Sequence, residues 1–417
     1  MRASRMLLAR ALLFATLSGG AEADESPLPD AAAALSGSFT WAQQPAISWE
    51  VKARSSAAST HARGAFSLSS DGLKAEGIVS YEPPTKTVGW KFDRATVDLA
   101  VWARALATRA APSAKIGDFS AKGLLAISSH GQLRNGLPSG SATLALEGAK
   151  LDSRANALRI DGISFDLKID DLDQLTSAPA QTLAFAEAEF SGVRAKAGTV
   201  RFQLRSLQEI RIEGAEMKMF DGTVVVDPFT VPIVDGAIGA FNANVRVSGV
   251  ALGEIALLLP ETLAEARGRL SGEIILRWTP KAGLNLGDGS FHIDRIESVE
   301  VRLAPQPGFL TSQMPAKITL LPAWLGKMSR WLAPDNPAYP VLRAIEMGDL
   351  ALTVDALEIH SQPSGDVFGR TARVVMTAHP KTGGVVESVL FEVNVSGPLD
   401  QVIKFGLSNP FSFKTTP

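Results

Sequence analysis

The sequence predicts a mainly β protein built as one extended antiparallel sheet or a sandwich. Three observations carry that reading. Between Gly162 and Pro280 apolar and polar residues alternate one for one, strand after strand. Gly, Asn, Asp, Ser and Pro clusters punctuate the alternating runs. Only a few short stretches follow a helical period. Successive side chains of a strand point to opposite faces, so each run has an oily face and a wet face. Repetition of such runs without strong helical interruption is the pattern of antiparallel sheets.

The chain opens with Arg2, Arg5 and Arg10, a short apolar run from Ala11 to Leu17, and the small-x-small triplet Ala21-Glu22-Ala23. This is the layout of a secretory signal peptide over residues 1–23, cleaved after Ala23, with a mature start at Asp24. The alternative is an uncleaved anchor in the inner membrane. The apolar run is short of the roughly 20 residues a span needs. Residues 24–37, rich in Ala, Pro and acidic groups, read as a flexible N-terminus. Residues 38–417 read as one β domain.

Its first strands are expected around Ala46–Val51, Gly64–Ser69, Ala75–Tyr81 and Val88–Leu99, with a turn at Pro83-Pro84. Val97–Ala107 suits a short helix loosely. Gly123–Ser128 and Ser141–Leu151 follow as strands. Next comes Ile163, Phe165, Leu167 and Ile169 alternating with Ser164, Asp166, Lys168 and Asp170. The pattern recurs at Val200, Phe202 and Leu204, at Ile210 and Ile212, and at Met217 and Met219. It returns at Phe241, Ala243, Val245 and Val247, and at Leu270, Ile274, Leu276 and Trp278.

A helix is expected over Leu252–Ala266, on the apolar patch Leu252, Ile255, Leu258 and Leu259. A second is expected after Pro322, where Trp324, Met328, Trp331 and Leu332 share one face. Tyr339–Met347 makes a third, shorter one. Leu350–His360, Gly369–Ala378, Ser388–Ser396 and Gln401–Leu407 close the chain as strands.

Composition narrows the function classes. The 417 residues carry a formal net charge of −2, which lacks the basic excess of a nucleic-acid binder. There is no cysteine, so disulfides, thiolate metal sites and a Cys nucleophile are excluded. The five histidines, His61, His130, His292, His360 and His379, are dispersed and show no metal-hydrolase spacing. Gly136-Leu137-Pro138-Ser139-Gly140 holds its serine one place late for a nucleophile elbow and reads as a loop. Gly326-Lys327-Met328 lacks the upstream glycine and the Ser/Thr of a phosphate loop. Asp170, Asp171 and Asp173 lack the glycine and terminal Glu of a calcium loop and read as a solvated strand end. Asn394-Val395-Ser396 matches a glycosylation acceptor, a pattern common by chance. No catalytic residue, metal site or cofactor is indicated.

Apolar surface remains. Met217 and Met219 suit a face that meets varied acyl chains and serve equally as core filler. Trp324, Met328 and Trp331 are candidates for contact with a membrane interface, or for packing on the sheet.

Specific blocks then stand in a telling order. Asp173-Gln174-Leu175-Thr176-Ser177, Gln181-Thr182-Leu183 and Phe190-Ser191-Gly192 precede "IRIEGAEMKMFDGTVVVDP" at Ile210–Pro228. After it come "VRVSGVALGEIALLLP", "ARGRLSGEIILRWTP", "LNLGDGSFHID", "MGDLALTVDAL" and "FEVNVSGPL". This order, over residues 150–410, resembles the C-terminal part of the YdbH family, also called the dicarboxylate-transport-domain family. That family stands with the AsmA-like and TamB-like proteins of Gram-negative envelopes. Family members resembling this chain are typically longer and keep an N-terminal anchor, whereas this N-terminus looks cleavable. They often carry Gly-Gly where Asp221-Gly222 stands here, itself a good hairpin turn.

The resemblance implies an elongated, twisted antiparallel sheet folded into an open groove, a β-taco. It implies a periplasmic protein that carries phospholipid acyl chains between inner and outer membranes, with membrane proteins of the envelope as further partners. Expected groove-lining residues are Phe165, Leu167, Ile169, Phe202, Leu204, Ile210, Ile212, Met217, Met219, Phe241, Val245, Ile274 and Leu276. Strand parity is open, so neighbouring odd and even sets are interchangeable at this point. About 20 strands at ~4.8 Å spacing would make a sheet on the order of 100 Å long. The alternative from another class is an envelope scaffold or assembly factor with a closed β core and no lipid cargo.

Overall fold

The computed structural model describes residues 31–396, apart from 41–45, 56–61, 104–118, 155–156, 191–192, 235–236, 258–262, 282, 313, 319–332, 366, 368 and 383. Among the described residues the chain is mostly β, with 24 strands in an open antiparallel sheet. The expected signal peptide, the helix after Pro322 with Trp324, Met328 and Trp331, and the strand Gln401–Leu407 lie outside the described residues. The chain divides into two compact units. One holds Met1–Met217 with Pro228–Phe241, and the other Lys218–Asp227 with Asn242–Pro417. The interleaving has a pairing cause. β13 (Glu209–Met219) pairs with β15 (Phe229–Val234), whereas β14 (Gly222–Val226) pairs with β17 (Phe241–Ala251).

The first unit begins with β1 (Ala31–Phe39), β2 (Ile47–Ser55), β3 (Ala62–Ser70), β4 (Leu73–Glu82) and β5 (Thr87–Asp98), each pairing with the next. β1 corrects the flexible reading of residues 24–37 from Ala31 onward. Alanine has little strand preference, so only the nine-residue register with β2 reveals it. The unit continues with β6 (Phe119–Lys122), β7 (Leu124–Arg134), β8 (Leu137–Ser153), β9 (Leu158–Asp171), β10 (Thr176–Ser177), β11 (Gln181–Phe190) and β12 (Val193–Ser206).

β8 overturns the loop reading of Gly136–Gly140. Asn135 and Gly136, at φ 52° and 80°, make the whole two-residue turn, and the strand starts at Leu137. Pro138 is tolerated because it pairs with Leu133 of β7, and pairing with β9 starts only at Ala142.

β16 (Ala237–Ile238) pairs with β15 in the first unit. In the second unit β17 leads into a short helix, α1 (Leu252–Ala256). The expected helix over Leu252–Ala266 stops there. Pro260 cannot continue a helix. Leu263–Arg267 is instead β18, paired with β21 (Val299–Leu303). The tertiary partner overrides the local period. Residues 99–103 are helical, but Val97 lies in β5, which runs to Asp98. The helix expected over Val97–Ala107 therefore begins later, and its residues 104–107 lie outside the described ones.

β19 (Arg269–Thr279), β20 (Gly283–Ile293), β22 (Leu352–Ser361), β23 (Arg370–Pro380) and β24 (Val389–Ser396) complete the ladder. α2 (Ala338–Glu346) forms where expected. Asn336 Oδ1 accepts the Ala338 N–H at 3.1 Å, and Gly348 at φ 76° takes the left-handed position beyond the helix end.

The second unit's core lies beneath α2. Leu342 and Ile345 pack on Val299, Val301, Leu352, Val354 and Ala378, with Leu252, Ala256, Ala266 and Leu270 in the same cluster. Ile345, Leu352 and Ala378 have no exposed surface. Glu346 is buried in this cluster's shell. Its carboxylate accepts the Leu310 and Thr311 N–H groups at 2.9 and 3.1 Å and the Thr311 hydroxyl at 2.8 Å. Burial alone would raise this carboxyl. Donors from Thr311, Leu310 and Gly308 outweigh it and hold the group below the ordinary glutamate range.

Candidate functional site

In the first unit the registers align apolar residues into rows that cross the strands. Leu73 faces Val97, Val97 faces Leu125, and Leu125 faces Leu146. Leu146 faces Phe165, Phe165 faces Leu183, and Leu183 faces Val200. Seven strands, β4, β5, β7, β8, β9, β11 and β12, thus contribute one apolar side chain each to a single line. A parallel row runs Trp49, Leu68, Ala75, Ala95, Ile127, Leu144 and Leu167. Opposed residues of an antiparallel pair share a face, so these rows form one apolar surface.

The intervening positions are polar or small. Lys74, Thr96, Ala126, Ala145, Asp166, Thr182 and Arg201 make the corresponding row on the other face.

The surface is unequally covered. At the β5 end Ile47, Val97 and Trp102 form a buried cluster, packed by Leu73, Leu125 and Ile127. Trp102, 3% exposed, donates its indole N–H to the Asp71 carbonyl at 2.9 Å. From there outward Phe165, Leu167, Leu183, Val200, Phe202 and Leu204 are only half-buried. Both buried apolar clusters of the described residues lie elsewhere than β9–β13. A chain of hydrogen bonds keeps the ladder closed where β10 interrupts it. Ser177 Oγ accepts the Leu204 N–H at 2.9 Å, and Gln181 Oε1 accepts the Lys168 N–H at 2.8 Å. Gln181 thereby sits opposite Phe202 with its polar atoms occupied.

The structure brings some expected residues together and separates others. Phe165, Leu167 and Ile169 stand on the apolar surface, Ile169 opposite Ala142. Ile210 and Ile212 face Val231 and Phe229, and Phe229 stacks on Phe241 at 5.1 Å between ring centroids. Met217 and Met219 fall on the other parity of β13, with Gly214 at φ 148° between the two pairs, and both are half-buried.

Val245 is buried opposite Val226 in the second unit. There Ile274 faces Gly289 and Leu276 faces Leu286, beside the packed core of the same strand at Leu270. The turn after the "EMKMF" strand is displaced by one residue from Asp221-Gly222. Phe220 and Asp221, at φ 51° and 56°, are its central pair. Gly222 begins β14, where a β-carbon would meet Ser248 O and Val250 N at 2.7 Å.

Reading Gly162–Pro280 alone missed half the surface. Leu125, Ile127, Leu144 and Leu146 lie upstream, and Leu183 and Val200 fall within the window but outside the expected lining. Alternation in β7 and β8 was the available signal.

Titratable groups point to structure. Asp171 Oδ1 accepts the Asp173 and Gln174 N–H groups at 2.7 and 3.3 Å, which closes the turn after β9. Asp161 lies between Lys150 and Arg159 at 3.1 and 2.8 Å, and hydrogen bonding to Lys150 lowers its carboxyl. A hollow of about 640 Å3 in the second unit has a mixed lining that includes Asn244, Glu273, Ile274, Ile275, Asp288 and His360, with Asp288 held by Arg277 at 2.9 Å. Among the described residues no group of three or more His, Asp or Glu side chains is placed to hold a metal ion. None of the described helices is long and apolar enough to cross a membrane.

Comparison with protein families finds a match over residues 30–316 to the YdbH-like family, described as intermembrane phospholipid transport protein YdbH. The match begins well before the 150–410 region in which the resemblance was read, and takes in the strands that build both apolar rows. No curated protein matches the chain.

Proposed function

Because the chain belongs to the YdbH-like family, whose description is intermembrane phospholipid transport, we propose that its apolar sheet face carries phospholipid acyl chains between the membranes of a bacterial envelope. The observation that carries this reading is the unbroken row from Leu73 to Val200. With Val97 and Leu146 covered and Phe165, Leu183 and Val200 half-exposed, its six inter-strand steps, at ~4.8 Å each, span about 29 Å. That is close to the ~30 Å hydrocarbon core of a bilayer, which two acyl chains fill end to end.

Transport on such a surface is passive. Each methylene removed from water contributes about 0.8 kcal/mol. Equivalent apolar positions repeat at every strand, so a chain advances by one step with little net change. The polar opposite face stays in water. The sheet closes over its cargo as an open groove, with Phe165, Leu167, Ile169, Phe202 and Leu204 in its lining. Ile210, Ile212, Phe241, Ile274 and Leu276 extend the lining within their own units. This reading requires no cofactor and no catalytic residue. The packed core beneath α2 supports a structural, scaffold-like role for that part of the second unit.

The protein acts in the periplasm after export, supported by the Arg-led apolar N-terminus and Ala21-Glu22-Ala23. Sequencing the N-terminus of envelope-purified protein is expected to return Asp24. Trp324, Met328 and Trp331 are the segment assigned to membrane contact, which vesicle-induced blue shifts of Trp emission test. The central experiment is mass spectrometry of lipids extracted from the purified protein. Phospholipid at about stoichiometric level is expected; its absence would overturn the proposal in favour of a scaffold.

A further inference from the structure

At four places a large aromatic side chain of the first unit's apolar surface stands directly opposite a glycine. Trp49 faces Gly37, Phe66 faces Gly77, Trp90 faces Gly131 and Phe185 faces Gly198. In each pair the ring lies across the strand onto the glycine. A β-carbon on Gly37, Gly77 or Gly131 would come within 2.9, 2.7 and 2.8 Å of the Trp49, Phe66 and Trp90 rings. One on Gly198 would fall inside the Phe185 ring's van der Waals envelope, and the three nearest atoms all belong to that ring. At Gly37 and Gly198 the ring takes the space of the missing side chain, and at Gly77 and Gly131 it shares that space with a backbone carbonyl that stands closer still, of Lys91 and Ser139.

Trp90 is fixed in this position by more than packing. Its indole N–H donates to Ser129 Oγ at 3.1 Å, and that hydroxyl donates to the Ser141 carbonyl at 2.9 Å. Ser129, in the same strand as Gly131, is itself buried. An indole standing up from the sheet would lose this polar partner. Gly198 takes ordinary strand backbone, so its identity answers to the ring above it and not to a turn.

We propose that these aromatic-on-glycine pairs are the specificity-determining floor of the acyl path. They lay the bulkiest side chains flat, so that unbranched acyl chains cross the strands over a shallow, continuous surface. Phe185 on Gly198 and Trp90 on Gly131 are its central members. This inference rests on the acyl-carrying reading of the same face. If a ring is forced upright, it occupies the volume that cargo methylenes would fill, and the path is interrupted at that strand.

The test is uptake of pyrene-labelled phosphatidylglycerol from mixed vesicles, with circular dichroism and thermal melts to follow the fold. Gly198→Ala is expected to weaken uptake about tenfold, which corresponds to about 1.4 kcal/mol. That is the contact of about two methylenes. The double variant Gly198→Ala with Phe185→Ala removes the displaced ring and is expected to take up more probe than Gly198→Ala, though less than wild type because the floor has lost a member. Gly37→Ala, beneath Trp49, carries the same comparison should Gly198→Ala fail to fold. Uptake by folded Gly198→Ala equal to wild type would overturn the floor, as would a double variant no better than the single. A wild-type protein that takes up no probe would instead overturn the acyl reading itself, and the floor with it.

Discussion

Replacing Leu167 by Asp should empty the apolar face, while Lys168→Asp, one position along β9, should leave it loaded. Leu167 faces Leu144 on the apolar surface, and Lys168 faces Thr143 on the other. Leu167 is half-buried, so its loss costs the fold about 1 kcal/mol, roughly half the value of full leucine burial. The effect on cargo is larger. A carboxylate keeps its hydration and denies contact to roughly three methylenes of a crossing chain, about 2.4 kcal/mol. That corresponds to a loss of roughly fifty-fold in lipid affinity. Vesicle-to-vesicle transfer of pyrene-labelled phospholipid, with mass spectrometry of retained lipid, reads the difference. Equal behaviour of the two variants would refute the two-faced assignment, and full loading of Leu167→Asp would refute the acyl path through β9.

Other perturbations test the packing that surrounds this face. Ile345→Ala removes a side chain with no exposed surface and should destabilise the second unit by about 3 kcal/mol in urea unfolding. Trp102→Ala should cost about 4 kcal/mol locally, seen as faster hydrogen exchange in β4 and β5. Gly222→Ala meets backbone atoms of β17 at 2.7 Å and should lower the melting temperature by an amount equivalent to about 2 kcal/mol.

Glu346 carries a pH dependence. Its carboxyl is held below the ordinary value of 4.5, so its contribution is complete above that pH. The contribution is lost as pH falls through the lowered folded-state value. Glu346→Gln should flatten this acid limb of unfolding and cost about 2 kcal/mol at neutral pH.

Local chemistry made much of this legible. The Asn135-Gly136 dipeptide announces the hairpin of β7 and β8, although the strand beyond it was mistaken for loop because Pro138 and Gly140 weaken the pattern. Ile163 to Ile169 read as strand from period alone. Tyr339–Met347 read as helix within one residue at each end, because Pro340 suits a first turn and Val341, Leu342 and Ile345 keep a helical spacing. β1 was hidden in alanines. Leu263–Arg267 was assigned to a helix because apolar spacing over so short a stretch does not distinguish the two periods.

The sequence by itself determined that nearly every segment is two-faced, where the turns fall, and, through block order, which family the chain resembles. Those are local properties, written in side-chain alternation and in the φ preferences of Gly, Asn and Asp. Only the tertiary structure decided which apolar residues stand in line. A shift of one residue exchanges a strand's two faces, and the bulges between Phe92 and Ala95 and between Leu146 and Ala149 re-phase β5 and β8 in ways no single strand reveals. It also decided which apolar surface is covered, since the stripe of α2 closes over the second unit's core while the row from Phe165 to Val200 stays half-exposed. Coverage depends on elements distant in the chain, and no local pattern encodes it.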